Sequence, residues 1–153
     1  MNKAIIGGTG VGSLPNLQGP FETETAYGTV QTYRFSLGDE EILFLPRHGS
    51  GHTTPPHAHK YRAQMAALKK EGVTHIYALA TSGSMDPSNS EGSIVVIEDF
   101  LDCTTSRIKT FFDGSDHKVA HVDMSDPYCS HLRSLFVQNA RKLGVDIYTG
   151  GVY

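Results

Sequence analysis

Apolar residues fall in short blocks along this chain, and most of the blocks stop on glycine or proline. Ala4-Ile-Ile6 is a continuous apolar run that meets Gly7-Gly-Thr-Gly10, a pattern that predicts a buried strand feeding a glycine-permitted turn. Glu41-Ile-Leu-Phe-Leu-Pro46 predicts a second buried strand. After it, Arg47-His-Gly-Ser-Gly-His-Thr-Thr-Pro-Pro56 combines charge, glycine and proline, the composition of an ordered or functional loop. Val73 to Ala80 predicts a further strand closing on Thr81-Ser-Gly-Ser84, and Ser93-Ile-Val-Val-Ile97 another; Val145-Asp-Ile-Tyr148 opens a last one. From Phe21 to Glu40 the residues are polar with Thr, Tyr, Val and Phe scattered among them, which suggests short edge strands joined near Gly28 and at Gly38-Asp39.

Two stretches switch to helical spacing. Tyr61, Met65 and Leu68 stand at i, i+4 and i+7 with alanines between them, followed by Lys69, Lys70 and a stop at Gly72. That predicts an amphipathic helix with basic charge at its C-terminal end. From Ser130, residues Leu132, Leu135, Phe136, Ala140 and Leu143 predict the apolar face of a second helix that stops at Gly144. Strands alternating with helices imply an α/β fold with a mixed, mostly parallel sheet flanked by helices. No internal repeat or low-complexity tract divides residues 1–153, so the expectation is a single domain.

Composition narrows the function. The chain has 153 residues, 39% of them hydrophobic, and a formal net charge of -3. No Lys/Arg run exceeds Lys69-Lys70, so the chain carries no positive field to gather a polyanion, and nucleic acid and membrane surfaces are not expected partners. No apolar run approaches the roughly 20 residues that cross a bilayer. Cys103 and Cys129 lack CxxC spacing and no secretory segment follows Met1, which points to free thiols in the cytoplasm.

In open α/β sheets ligands sit beyond the carboxyl ends of strands, and three such ends here carry suitable groups. The Gly7-Gly-Thr-Gly10 loop lets backbone N–H groups and the Thr9 hydroxyl approach an anion, although it lacks the full GxGxxG spacing and a Walker lysine. A ligand-free tight turn is the alternative. Arg47-His48 offers a guanidinium fork and a neighbouring imidazole, a pairing suited to an oxyanion. A surface ion pair is its plainer use. Thr81-Ser-Gly-Ser84 lacks the GxSxG elbow of a hydrolase nucleophile. His48, His52, His57 and His59 make a poor zinc set, because no cysteine lies among them, Pro55-Pro56 stiffens the loop and no HExxH is present. No metal is expected. Neither cysteine has the surroundings of a nucleophile.

Taken in order, Ala4-Ile-Ile-Gly-Gly-Thr-Gly10, Phe44-Leu-Pro-Arg-His-Gly49, Tyr61-Arg-Ala63, Thr81-Ser-Gly-Ser84, Phe111-Phe-Asp-Gly114, His121-Val-Asp-Met124 and Gly150-Gly-Val-Tyr153 resemble the trimeric purine nucleoside phosphorylase family. The similarity is to the N-terminal half of its methylthioadenosine and methylthioinosine phosphorylase branch. Pro46 and Lys60 depart from that pattern, the latter standing where the family usually has asparagine. The resemblance implies a phosphorylase-like α/β fold, here truncated, since the family's later ribose- and purine-holding motifs have no counterpart in these 153 residues.

The implied reaction splits the N-glycosidic bond of a purine nucleoside with inorganic phosphate, with no protein nucleophile, metal or cofactor. By resemblance the phosphate ligands are Thr9, Arg47, His48, Thr81 and Ser82. His52 corresponds to the residue near the sugar's 5′ substituent, and His121 to one offered to a neighbouring subunit, so a homo-oligomer, a trimer or a multiple of it, is implied. The alternative is a catalytically inactive half-length relative that binds phosphate or serves as an oligomerisation module.

Overall fold

The computed structural model describes residues 2–115 and 119–153. The chain divides into two compact units, Met1–Ser82 and Gly83–Tyr153.

The first unit is built on strands β1 (Lys3–Gly7), β2 (Gln18–Thr25), β3 (Gly28–Leu37), β4 (Glu40–Pro46) and β5 (His75–Ala78), with helix α1 (Tyr61–Lys70) between β4 and β5. They form one sheet in the order β2-β3-β4-β1-β5. β1 runs parallel to both of its neighbours, while β2, β3 and β4 form an antiparallel meander. In β4, Ile42, Leu43, Phe44 and Leu45 are all buried, the continuous apolar run of a strand covered on both faces. Leu43 and Leu45 join Ala4, Ile6 and Val30 in a core closed by Ala63, Ala67 and Leu68 of α1.

The buried stripe of α1 corrects the expected one. Tyr61 and Met65 are half-buried, and the fully covered positions are Ala63, Gln64, Ala67 and Leu68. The small alanines bring the helix backbone close to the sheet, and that close approach decides which face turns inward. The helix ends in a Schellman arrangement: the Val73 N–H donates to the Leu68 carbonyl (3.0 Å) and the Gly72 N–H to that of Lys69 (3.1 Å), with Gly72 at φ 76°. Glu71, at the same end, accepts from the Thr23 hydroxyl (2.7 Å) and from Arg34 (3.4 Å), tying the helix to β2 and β3.

Of the two expected edge strands only β2 lies at the sheet's edge, since β3 pairs with both β2 and β4, and both are longer than their polar sequence suggests. β2 has 8 residues and β3 has 10, joined at Gly28, and β3 turns into β4 around Gly38 and Asp39. β5 is shorter than the 73–80 run, because Thr74 and His75 both bond to the Asn2 carbonyl at the strand's entry.

The second unit holds β6 (Ile94–Val96), α2 (Ser130–Lys142) and β7 (Ile147–Thr149). β6 and β7 pair in parallel, and the crossover between them passes through α2, which packs on β7. Of the described strand pairings, three are parallel and two antiparallel, the mixed, mostly parallel α/β arrangement expected. α2 ends like α1, with Gly144 at φ 68° and the Val145 N–H donating to the Ala140 carbonyl (2.9 Å). Its apolar face is only partly inward. Ala140 is buried, Leu132 and Phe136 are half-buried, and Leu135 and Leu143 are exposed. At about 100° per residue, Leu135 lies roughly 140° around the helix from Ala140, and Leu143 is already at the C-cap.

Candidate functional site

Adjacent parallel strands β4, β1 and β5 place their carboxyl ends on one edge of the sheet, so the three loops that leave them meet. Backbone bonds stitch them together. The Arg47 N–H donates to the Gly7 carbonyl (2.9 Å) and the Leu79 N–H to that of Ile6 (2.9 Å). The Thr81 hydroxyl donates to the Thr9 carbonyl at 2.7 Å.

Two glycines make this convergence possible. A Cβ on Gly8 would stand 2.6 Å from the Leu79 carbonyl oxygen and 2.9 Å from Nη2 of Arg47; one on Gly7 would strike the Phe44 ring at 2.7 Å. Each is a close-approach glycine, required by space.

Arg47 and His48 sit just past Pro46. The Arg47 carbonyl accepts a hydrogen bond from the side-chain amide of Gln64 (3.1 Å), a buried residue of α1, which anchors the loop to the helix beneath. Arg47 is partly buried and its Nε is covered yet has no partner; His48 is buried and its Nε2 is likewise covered and unpartnered. Buried N–H groups in proteins are nearly always satisfied, and here two consecutive residues leave a ring or guanidinium nitrogen unmet. Around the other side of the His48 ring, Nδ1 lies 3.3 Å from the Thr54 carbonyl oxygen and 3.1 Å from Nε2 of His59. His52 stacks on His48 with ring centroids 4.1 Å apart.

Thr9, Arg47, His48 and Thr81 are thus brought to one edge of the first unit, with His52 against His48. Thr9, Thr81, Ser82 and His52 are exposed. His121 belongs to the second unit, where it is exposed in an irregular segment. Two participants escaped the sequence reading. The burial of Gln64 beneath Arg47 has no sequence signal. His59, one of the four histidines that make a poor zinc set, has its ring against His48 on one side and the Tyr61 hydroxyl on the other, with Nδ1 3.1 Å from that oxygen. Among the described residues, no three His, Cys, Asp or Glu side chains are grouped to hold a metal ion.

Three loops that leave parallel strands and meet on one sheet edge form the place where open α/β folds carry their ligands. Residues 2–153 match the family described as the Phosphorylase superfamily, and the chain belongs to it. It is 40% identical to a probable 6-oxopurine nucleoside phosphorylase of Dictyoglomus turgidum, over 100% of this chain and 59% of that one. With the S-methyl-5′-thioadenosine phosphorylase of Hyperthermus butylicus it shares 43% identity, over 98% of this chain and 56% of the other. Methylthioadenosine phosphorylase from Schistosoma mansoni, solved in complex with adenine, superposes with a TM-score of 0.87 at 32% identity, covering 96% of this chain and 56% of that one. The chain therefore spans less than two thirds of the length of the relatives it matches.

Proposed function

We propose that this site binds inorganic phosphate and serves the phosphorolysis of a purine nucleoside of the methylthioadenosine or methylthioinosine type. The observation that carries the reading is the pair of covered, unpartnered nitrogens, Nε of Arg47 and Nε2 of His48, on consecutive residues at the end of a central parallel strand. An oxyanion is the ligand whose acceptors answer both. The relatives named for 6-oxopurine nucleosides and for methylthioadenosine support the substrate class.

In this reading Arg47, His48, Thr9, Thr81 and Ser82 hold phosphate so that one of its oxygens attacks the anomeric carbon. The bond to the purine nitrogen breaks with its electron pair leaving on the base. The products are the free purine and a ribose 1-phosphate. Phosphate is the nucleophile and co-substrate, so the reaction calls for no cofactor, and the chain contributes by orienting the nucleophile and balancing its charge. His52 lies toward the sugar's 5′ end. His121 serves a neighbouring subunit of a cytoplasmic homo-oligomer, a trimer or a multiple of it.

A second reading rests on the second unit, where Leu101, Ile108, Val119, Val122 and Val152 are exposed together with Leu143, which is 80% accessible. So much apolar surface favours an assembly role, in which a chain that binds phosphate is not itself a catalyst. Phosphorolysis of methylthioadenosine, methylthioinosine, adenosine and inosine, with phosphate omitted in parallel and Arg47→Ala as control, separates the two. Phosphate-dependent release of free base, lost in the variant, supports the enzyme. Absence of release together with phosphate-dependent thermal stabilisation supports the assembly module.

A further inference from the structure

We propose that His59, backed by Tyr61, is a positioning residue that sets the tautomer of His48, so that a neutral His48 presents an Nε2–H to a bound oxyanion. The inference rests on the phosphate-binding reading above and adds a role for a residue outside the phosphate-binding set.

The argument is one of donors and acceptors. Nδ1 of His48 faces two groups only slightly different in distance, the Thr54 carbonyl oxygen at 3.3 Å and Nε2 of His59 at 3.1 Å. A carbonyl oxygen only accepts. Facing it alone, Nδ1 would have to carry the hydrogen, and a neutral imidazole has one N–H, so Nε2 would turn a lone pair toward the site. That lone pair would repel an oxyanion.

An imidazole partner removes the conflict, because its nitrogen can donate. With the hydrogen on Nε2 of His59, that N–H is donated to Nδ1 of His48 and shared with the Thr54 carbonyl, 3.3 Å from the same nitrogen. The lone pair of His59 then falls on Nδ1, 3.1 Å from the Tyr61 oxygen, whose hydroxyl is its donor. The chain Tyr61 O–H to His59, His59 N–H to His48, and His48 Nε2–H to the anion matches a donor to an acceptor at each step and needs no added proton.

Among the described residues, the ionisable groups facing His48 include Arg47 beside it in the chain, His52 stacked on its ring, His59 across Nδ1, and Tyr61 behind His59. Arg47 stays cationic throughout the working pH range. The pH behaviour that separates wild type from variant is therefore assigned to the imidazoles, and His52 is common to both.

The test uses inorganic sulfate, whose charge is constant from pH 6 to 8.5, with inorganic phosphate alongside, and measures binding by calorimetry in wild type, His59→Ala and His59→Gln. In wild type, affinity falls by no more than about tenfold in all and then levels, because neutral His48 still donates. In His59→Ala only imidazolium donates, so affinity falls by about tenfold per pH unit on the alkaline side without levelling. His59→Gln, whose amide restores an N–H donor, recovers the level portion. Nitrogen-15 spectra of wild-type imidazoles supply a readout that needs no variant to fold: at pH 8, His48 is expected as the Nε2–H tautomer. An Nδ1–H tautomer, or sulfate profiles alike in wild type and His59→Ala while Arg47→Ala abolishes binding, overturns the role of His59 and leaves the anion site standing. Failure of both anions to bind the wild-type protein overturns the site reading and this inference with it.

Discussion

Gly8 lies under the guanidinium of Arg47 so closely that a methyl group in place of its hydrogen would sit 2.9 Å from Nη2 and 2.6 Å from the carbonyl oxygen of Leu79. The first obstacle is a flexible side chain, but the second is backbone at the end of β5. Gly8→Ala must therefore either push the 79–81 segment away from β1 or swing Arg47 out. Overpacking of this kind costs about 1–3 kcal/mol, and the Leu79 N–H bond to Ile6 at 2.9 Å is the contact placed at risk. Urea unfolding is expected to show that loss, and phosphate stabilisation of the variant is expected to vanish. A variant that keeps both stability and phosphate response would show that the three loops tolerate separation.

Arg47→Lys keeps the charge and removes the fork. A guanidinium grips an oxyanion through a planar fork of donors, and lysine offers a single ammonium in its place. Phosphate affinity is expected to fall roughly 10- to 100-fold, the size of one lost hydrogen bond to a charged group. The fold is expected to hold, since the Arg47 backbone, through its N–H to Gly7 and its carbonyl to Gln64, is unaffected. Calorimetry with phosphate beside thermal unfolding reads the two effects separately, and unchanged affinity would remove Arg47 from the anion's contacts.

The frame of the first unit was legible where physics is local. Ala4-Ile-Ile6 and Ile42-Leu-Phe-Leu45 read as buried strands because a strand covered on both faces needs apolar residues at every position. Gly72 and Gly144 read as helix stops because each takes positive φ in a Schellman turn. β2 was hard to read because most of its residues are exposed, and β3 because its buried positions include the polar Thr32; the pairing of both is set by backbone bonds to partner strands. The inward face of α1 was misjudged because volume, not hydrophobicity, selects alanine where helix and sheet backbones come close. His59 and Gln64 acquire their roles only when the loop from Arg47 to His59 folds back onto the start of α1, a contact with no spacing signature.

In the second unit, the Asp102 carboxylate is held down to about 2, first by the Thr104 hydroxyl, then by the Thr104 backbone N–H and by Lys109. The distances are 2.6 Å, 2.9 Å and 3.0 Å. A carboxyl depressed in the folded state stabilises its turn above the ordinary carboxylate range, and that contribution is lost as pH falls through the folded value. Carbon-13 titration of the Asp102 carboxyl is expected to give a midpoint near 2, and Thr104→Val to move it upward. A midpoint that stays near the ordinary value of 3.8 in the wild-type chain would mean that the turn does not persist in solution.

The alanine stripe of α1 gives the sharpest test of how the helix meets the sheet. Ala67 is fully buried in the core with Leu43, Leu45 and Leu68, and Leu is nearly as good a helix former as Ala. Propensity alone would make Ala67→Leu close to neutral. Packing says otherwise: three extra carbons must be placed where a backbone already lies against a sheet, which costs about 1–3 kcal/mol and shifts α1 outward. Met65 is half-buried beside the same core, and Met65→Leu conserves volume, so its cost is expected to stay below about 1.5 kcal/mol. Chemical denaturation of the two variants decides the matter, because the same residue type is introduced two positions apart on one helix. Because Gln64 hangs from α1 and holds the Arg47 carbonyl, an outward shift of the helix in Ala67→Leu is also expected to weaken phosphate binding, an effect that Met65→Leu should not share.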